Sequence, residues 1–460
     1  MPHLLISAAH KSSGKTTISI GLCAAFKQRG AIVQPFKKGP DYIDPMWLSR
    51  AAGRSCYNLD FHVSSRTAIT ETFAQHMQGA DLGIIEGNKG LYDGLDLDGS
   101  NSNAALATLL KAPVVLVIDA RGMTRGIAPL ILGYQSFEPD IHIGAVILNH
   151  VGGYRHEEKL RRVIEHYTDA AVLGAVHQAS EIEIVERHLG LMPSSETDQR
   201  DEIIQRIADT VEEQVDLDRV IELAATAPKT ISKTLAVTTV GSDPKLRIGI
   251  AQDAVFGFYY AGDLERFRQA GVELVPFNTL TDKALPDVDG LFIGGGFPET
   301  QMDALERNKS LRQAIFDFIE AGGPVYAECG GLMYLARSLS WNGKEYEMVG
   351  AIPADCVMCD RPQGRGYVRL RQTSDAPWGE LPAGSTGIAA HEFHYSKLEN
   401  LEDDIQFAYE VLRGTGINGH DDGIIYKNLL ASYTHLQDTD RYHWIEAFVA
   451  FVREQQSSTK

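Results

Sequence analysis

The chain has 460 residues, too many for one ordinary domain, so two to four domains are expected. Hydrophobic residues make up 44% and charged residues 23%, a balance that excludes disorder, collagen and coiled coil. Lys+Arg 43 against Asp+Glu 61 leaves a formal net charge of −18, which repels a phosphate backbone and argues against a nucleic-acid partner.

The start, Met1-Pro2-His3-Leu4-Leu5-Ile6-Ser7, is too short an apolar run for an export signal. No uninterrupted apolar stretch approaches the ~18 residues of a membrane helix. Five cysteines, at 23, 56, 329, 356 and 359, are an odd number and too sparse for a disulfide framework. These features predict a cytoplasmic protein with no membrane partner.

In chain order, residues 4–8 read as a strand and 15–29 as a helix, with Ile18, Leu22, Ala25 and Phe26 on one face. Residues 31–35, 82–85, 114–118 and 143–148 are further strands. Their β-branched, near-continuous apolar character suits strands buried on both faces of a parallel sheet. Strand–helix repetition predicts a doubly wound α/β domain. Residues 224–245 have a linker composition, rich in Ala, Thr, Ser, Pro and Gly, which places a boundary near 240. A second α/β series follows, with strands over 246–251, 273–277, 290–293 and 324–327.

Between the first strand and first helix lies Lys11-Ser12-Ser13-Gly14-Lys15-Thr16-Thr17. In that context backbone N–H groups and the helix N-terminus face a phosphate. Lys15 is expected to reach the terminal phosphates and the Thr16 hydroxyl to ligate Mg²⁺, with Lys11 a second cation. Ala9 stands where the first glycine of the usual pattern belongs. Two further segments offer hard oxygens to Mg²⁺. One is the strand ending in Glu86, with Gly90-Leu91-Tyr92-Asp93-Gly94 after it; the other is 36–45, read as a loop carrying Asp41, Tyr42 and Asp44.

In the second half, Ala327-Glu328-Cys329-Gly330-Gly331-Leu332 reads as strand, sharp turn and helix, with the thiol at the bend. A helix N-terminus biases a thiol toward thiolate. His435 closes a strand-like run about a hundred residues on and is the leading base, with His391 and His394 as competitors. The glycines of Gly294-Gly295-Gly296-Phe297-Pro298-Glu299 offer N–H groups for an oxyanion hole. Cys356-Val357-Met358-Cys359 has no companion pair and is read as structural.

With these motifs in hand, the chain resembles the cobyrinic acid a,c-diamide synthase family over nearly its full length. Added matches are Gly39-Pro40-Asp41-Tyr42-Ile43-Asp44-Pro45 and Asn58-Leu59-Asp60. The resemblance implies an N-terminal P-loop NTPase unit over 1–225, similar to dethiobiotin synthetase, with a parallel sheet. A linker over 226–245, a class I glutamine amidotransferase unit over 246–445, flavodoxin-like, and a tail over 446–460 complete the division. It implies ATP-dependent amidation of two acetate side chains of a tetrapyrrole-derived ring, with ammonia from glutamine.

By the same resemblance, Cys329 is the nucleophile, His435 activates it, and Gly295, Gly296 and Gly330 line the glutamine site. Lys11, Gly14, Lys15, Thr16 and Thr17 bind ATP. Thr16, Glu86 and Asp41 hold Mg²⁺, and Tyr42, Asp44 and Asp93 serve the acceptor. A homodimer is compatible with this reading. Gln437 stands where other class I amidotransferases carry an acid, which fits a Cys–His pair. Lys38 and Asn88-Lys89 depart from the family's usual residues and leave the ring open between cobyrinate, hydrogenobyrinate, siroheme and nickel sirohydrochlorin. A regulatory P-loop ATPase with a non-catalytic second domain, and a stand-alone glutaminase, are the readings from other classes.

Overall fold

A computed structural model of the chain describes residues 1–178, 184, 186–187, 190–191, 199–228, 246–379 and 387–458. The chain forms two units, Met1–Ala236 and Val237–Lys460. Most of the expected linker, from 229 to 245, lies outside the described residues.

The first unit runs β1 (His3–Ala8), α1 (Lys15–Gln28), β2 (Val33–Lys38), α2 (Ile43–Ala52), β3 (Tyr57–Leu59), α3 (Arg66–His76) and β4 (Leu82–Glu86). It continues with α4 (Asn103–Leu110), β5 (Val114–Asp119), α5 (Ile127–Phe137), β6 (Ile143–Val151), α6 (Tyr154–Tyr167) and β7 (Ala171–His177). A short pairing of β8 (Glu186–Arg187) with β9 (Gly190–Leu191) precedes α7 (Arg200–Gln214) and α8 (Leu217–Ala225). Its main sheet has the order β3-β2-β4-β1-β5-β6-β7, parallel throughout. Every residue of β1, β2 and β4 is buried, as a sheet covered on both faces requires. The chain reverses direction across the sheet at β1. The carboxyl ends of β1, β2 and β4 therefore border the crevice where such sheets take ligands.

Strand β2 differs from expectation. It spans 33–38 rather than 31–35, because Ile32 is half exposed and gives its N–H to Asp81 while Phe36 and Lys37 pair with Ile85 and Glu86. Lys37 and Lys38 thus belong to a buried strand, not a loop. The following Gly39-Pro40 had suggested an earlier end.

The second unit opens with β10 (Leu246–Ala251), β11 (Phe256–Phe258), α9 (Ala261–Gln269), β12 (Val272–Phe277), β13 (Gly290–Ile293) and β14 (Gly295–Gly296). Next come α10 (Met302–Arg307), α11 (Lys309–Glu320), β15 (Val325–Glu328), α12 (Gly330–Leu335), β16 (Ala336–Trp341), β17 (Lys344–Glu347) and β18 (Ile352–Met358). It ends with β19 (Gly364–Gln372), β20 (Ile388–His394), β21 (Ser396–Glu399), β22 (Gln406–Arg413), β23 (Asp421–Tyr426), β24 (Leu429–Ser432) and α13 (Trp444–Ser458).

Its large sheet has the order β12-β10-β13-β15-β24-β23-β22-β19-β20. The first five strands are parallel and follow the flavodoxin order 2-1-3-4-5. Beyond β24 the pairing turns antiparallel, an extension that the strand–helix pattern had not shown. Its last strand returns to the segment after β24, where His391 and His435 form an antiparallel bridge.

Alternate residues of the central strands enter different cores. Leu291, Ile293, Val325, Ala327, Leu429 and Ala431 join one cluster, and Phe292, Tyr326 and Leu430 the other. That period of two means both faces are covered. Residues 446–460, expected as a tail, fall instead largely in α13. There Trp444, Ile445, Phe448, Val449 and Val452 are buried in the second of these cores. Their 1, 2, 5, 6, 9 spacing is the stripe of an amphipathic helix.

Candidate active sites

The phosphate loop joins β1 to α1. Its last residue, Gly14, has φ 79°, and an added Cβ would collide with Asn149 Nδ2. That amide donates to Ser13 O at 3.0 Å, so Asn149 holds the turn that points N–H groups toward an anion. Lys15 opens α1 and is buried; burial, then the charge of Lys37, lowers its pKa. Lys11 is exposed on the loop, and Thr17 is half-buried on α1.

Glu86 ends β4 fully buried. Its Oε1 accepts from Thr16 Oγ1 at 2.5 Å and faces Lys37 Nζ at 3.1 Å. Burial raises the Glu86 pKa, with Lys37 opposing. Lys37 also pairs with Asp44 and lies 3.9 Å from Asp41 Oδ2. Burial by itself would lower its pKa. The carboxylates of Asp44, Glu86 and Asp41 outweigh that and hold the ammonium above its ordinary value. Sequence reasoning missed Lys37 as a site residue; the available signal was a lysine inside a buried parallel strand, which needs a counter-charge.

Asp41 Oδ1 accepts the N–H groups of Ile43 at 2.9 Å and Asp44 at 3.0 Å, the first two of α2. Asp44 Oδ2 instead lies 3.4 Å from Thr16 Oγ1. Tyr42 is buried between the two carboxylates in sequence. Asp93 is exposed, and its Oδ2 accepts from the Gly90 N–H at 2.9 Å, shaping the 90–93 turn.

Thr16, Glu86 and Asp44 present hard oxygens side by side, and Glu86 Oε2 is buried with no hydrogen-bond partner. This donor set fits Mg²⁺, which needs only one or two carboxylates beside phosphate oxygens and water. Among the described residues no group of three or more His, Cys, Asp or Glu is arranged as a self-sufficient metal site.

Of the departures from the usual family residues, Lys38 and Asn88 meet each other, while Lys89 is exposed. Lys38 Nζ donates to Asn88 Oδ1 at 3.3 Å. Burial lowers the Lys38 pKa to about 8, with Asp60 opposing. Asn103, buried at the start of α4, clamps the same loop by accepting from the Asn88 N–H at 3.1 Å and donating to Gly90 O at 2.7 Å.

In the second unit Cys329 stands between β15 and α12 at φ 47° and ψ −100°. A non-glycine residue in that region is strained and is held there by its surroundings. Its N–H donates to Ser432 O at 2.7 Å, and its thiol reaches Phe393 O at 4.0 Å. Burial, then the carboxylates of Glu299 and Glu328, push the thiol pKa up. Burial beside two acids thus opposes the expected bias toward thiolate at this six-residue helix.

The other expected residues lie on segments that touch this elbow, through the Cys329 N–H bond to Ser432 and the close approach of Gly330 to Gly296. A Cβ on Gly330 would lie 2.8 Å from Gly296 N, and one on Gly295 would lie 2.7 Å from His435 Cε1. Both glycines are needed for backbone and imidazole to approach so closely. His435 Nδ1 lies 3.3 Å from Glu328 Oε2, and its ring stacks on His391 with centroids 4.9 Å apart. His391 Nδ1 is bonded to Tyr260 OH at 3.1 Å. His394 is turned elsewhere, with Nδ1 on Ser396 O at 2.8 Å and its ring on Tyr433. Cys356 is buried near the Tyr433 hydroxyl, 3.9 Å away, and Cys359 is half-buried.

A thiol on a strained elbow, an imidazole over a glycine floor and a flavodoxin-order sheet define the class: a glutamine amidotransferase unit joined in one chain to a nucleotide-binding α/β unit. Family models agree, with a CobB/CobQ-like glutamine amidotransferase domain over residues 247–441 and a CobQ/CobB/MinD/ParA nucleotide-binding domain over residues 5–191. The chain is 47% identical to the cobyrinate a,c-diamide synthase of Magnetococcus marinus, covering 99% of this chain and 98% of that one. The Archaeoglobus fulgidus protein of the same name is 43% identical, covering 95% and 94%, and the Methanosarcina acetivorans protein 42%, covering 95% and 92%. The chain belongs to the cobyrinate a,c-diamide synthase family and is a glutamine-dependent, amide-forming ligase. Among the described residues no helix is long and apolar enough to cross a membrane.

Proposed function

We propose that this ligase amidates the a and c acetate carboxylates of cobyrinate, or of hydrogenobyrinate, using ATP and ammonia released from glutamine at Cys329. The observation that carries the proposal is the buried, strained Cys329 grouped with His435, Gly295, Gly296 and Gly330. A regulatory ATPase has no use for such a cluster.

In the nucleotide unit an acetate oxygen attacks the γ-phosphorus and ADP leaves, giving an acyl phosphate. Ammonia then adds to the acyl carbon and phosphate departs, which leaves the carboxamide. Lys15 and the N–H groups of the phosphate loop offset the charge on the transferring group. Thr16, Glu86 and Asp44 are the residues that would hold Mg²⁺, which when bound neutralises phosphate charge.

In the amidotransferase unit the thiol proton passes to His435 as sulfur attacks the glutamine amide carbon. The N–H groups of the glycine loops receive the developing oxyanion. The imidazolium returns the proton to the leaving nitrogen, ammonia departs, and water hydrolyses the thioester to glutamate.

The pairing of Lys38 with Asn88 bears on the ring. Lys38, at the end of β2, and Asn88 pair with each other, which leaves exposed Lys89 as the unusual residue that still favours the siroheme alternative. Incubating the protein with ATP, Mg²⁺, glutamine and each ring in turn, with mass spectrometry of the products, tests the assignment. A mass change of two amidations on cobyrinate or hydrogenobyrinate is expected. Product on siroheme or nickel sirohydrochlorin alone would refute it. Cys329→Ser should lose glutamine-driven synthesis and keep ammonia-driven synthesis.

A further inference from the structure

We propose that Glu328 is the positioning carboxylate of the glutaminase centre, orienting His435 in place of the acid that other class I amidotransferases carry two residues after the histidine. The inference rests on the glutaminase reading of Cys329 and His435 given above. The usual position holds Gln437, whose side-chain oxygen has no hydrogen-bond partner. Glu328 comes from a different direction. It ends β15, one residue before the nucleophile, and is 2% exposed. The β15–β24 register sets it opposite Ser432, three residues before His435.

Its two oxygens have separate tasks. Oε1 accepts from Tyr326 OH at 2.7 Å and from the Leu436 N–H at 2.8 Å, which fixes the carboxylate and the segment carrying the histidine. Oε2 faces His435 Nδ1 at 3.3 Å, a separation at the long end of a hydrogen bond, as is common before substrate tightens a site. An ionised carboxylate only accepts, so the imidazole proton sits on Nδ1 and Nε2 is left as the base. When Nε2 takes the thiol proton, the imidazolium forms against a carboxylate already in place. His391, stacked on the imidazole and held by Tyr260, and the Gly295 backbone also border it.

Glu328→Gln keeps the shape and can still accept at Oε1, but removes the charge and can present an amide N–H to Nδ1. The wrong tautomer then predominates. In the full-length enzyme the glutamine-dependent kcat should fall by about 10²–10⁴-fold, a range set by the loss of a triad acid. KM for glutamine should stay within about threefold, because the side chain does not touch the amide. Ammonia-dependent synthesis should persist. Glu328→Asp, which keeps the charge, should recover at least about tenfold over the Gln variant, part of that range.

Retention of more than about a third of glutamine-dependent kcat in Glu328→Gln, far short of a triad-acid loss, would overturn the proposal. So would equal loss with glutamine and ammonia in both variants, which assigns Glu328 to folding alone. If wild type releases no ammonia from glutamine, or Cys329→Ser still does, the glutaminase reading itself fails, whatever Glu328 does.

Discussion

Replacing Lys37 with methionine removes one charge from the most crowded electrostatic point of the first unit. The lysine is 2% exposed at its side chain, contacts Asp44, and lies 3.1 Å from Glu86 and 3.9 Å from Asp41. Methionine fills similar volume but leaves Glu86 buried without its cation, beside the partly exposed Asp44 and Asp41. Breaking a buried pair from one side costs about 3–5 kcal/mol. For a unit of this size each kcal/mol lowers Tm by about 2–4 °C, so the first unit should melt roughly 6–20 °C lower.

The loss should depend on pH, and the sign follows from Glu86. Its folded pKa is already raised by burial, and removing Lys37 raises it further. A raised carboxylate pKa stabilises the fold below its unfolded value, near 4.3, and that contribution is lost as pH rises through the folded value. The gap between wild type and Lys37→Met should therefore be widest near pH 8 and narrow toward pH 5. Millimolar Mg²⁺ should restore part of it by taking the place of the missing cation. Differential scanning calorimetry of the full chain at several pH values, with and without Mg²⁺, measures this. A change below about 1 kcal/mol at pH 8, or one constant with pH, would show that the carboxylates do not need Lys37.

Gly14→Ala should weaken ATP binding more than tenfold by isothermal titration, because the new Cβ meets Asn149 at a left-handed φ; unchanged affinity would mean that the loop tolerates a different turn. Asn149→Ala should weaken ATP less than Gly14→Ala, since it loses a strut but adds no clash. Cys329 in the ligand-free protein should react with iodoacetamide at pH 7.5 at least about tenfold more slowly than free cysteine, because its thiol pKa is pushed up. The rate should rise without a plateau to pH 9, read by peptide mass mapping that separates it from half-buried Cys359; a plateau near neutral pH would mean a preformed thiolate.

The parts of the site legible in the sequence are those written in a short, continuous stretch. The phosphate loop, the strand ending in Glu86 and the Cys329 elbow each carry their own strand, turn and helix signals. What escaped depends on neighbours distant in the chain. Lys37 looks like a loop lysine until β4 lays Glu86 beside it. Glu328 looks like a strand-end residue until the loop after β24 brings His435 onto it, 107 positions away. Asn103 and Asn149, which clamp two loops, are ordinary polar residues by type. The antiparallel extension was hidden because it contributes strands to a sheet already complete in the strand–helix pattern. Helix α13 ends in polar Arg453-Glu454-Gln455-Gln456-Ser457-Ser458, although the stripe from Trp444 to Val452 belongs to the core.

The bridge between His391 and His435 has a mechanical meaning. β20 stands furthest from β15 in the order of strands, yet its His391 pairs with and stacks on His435. A slip of one residue between β19 and β20 would turn His391 to the opposite face and take away the ring on which His435 rests. Substitutions far out in this curled flap can thus tune how fast nitrogen is set free, while every group that meets the amide donor stays as it was.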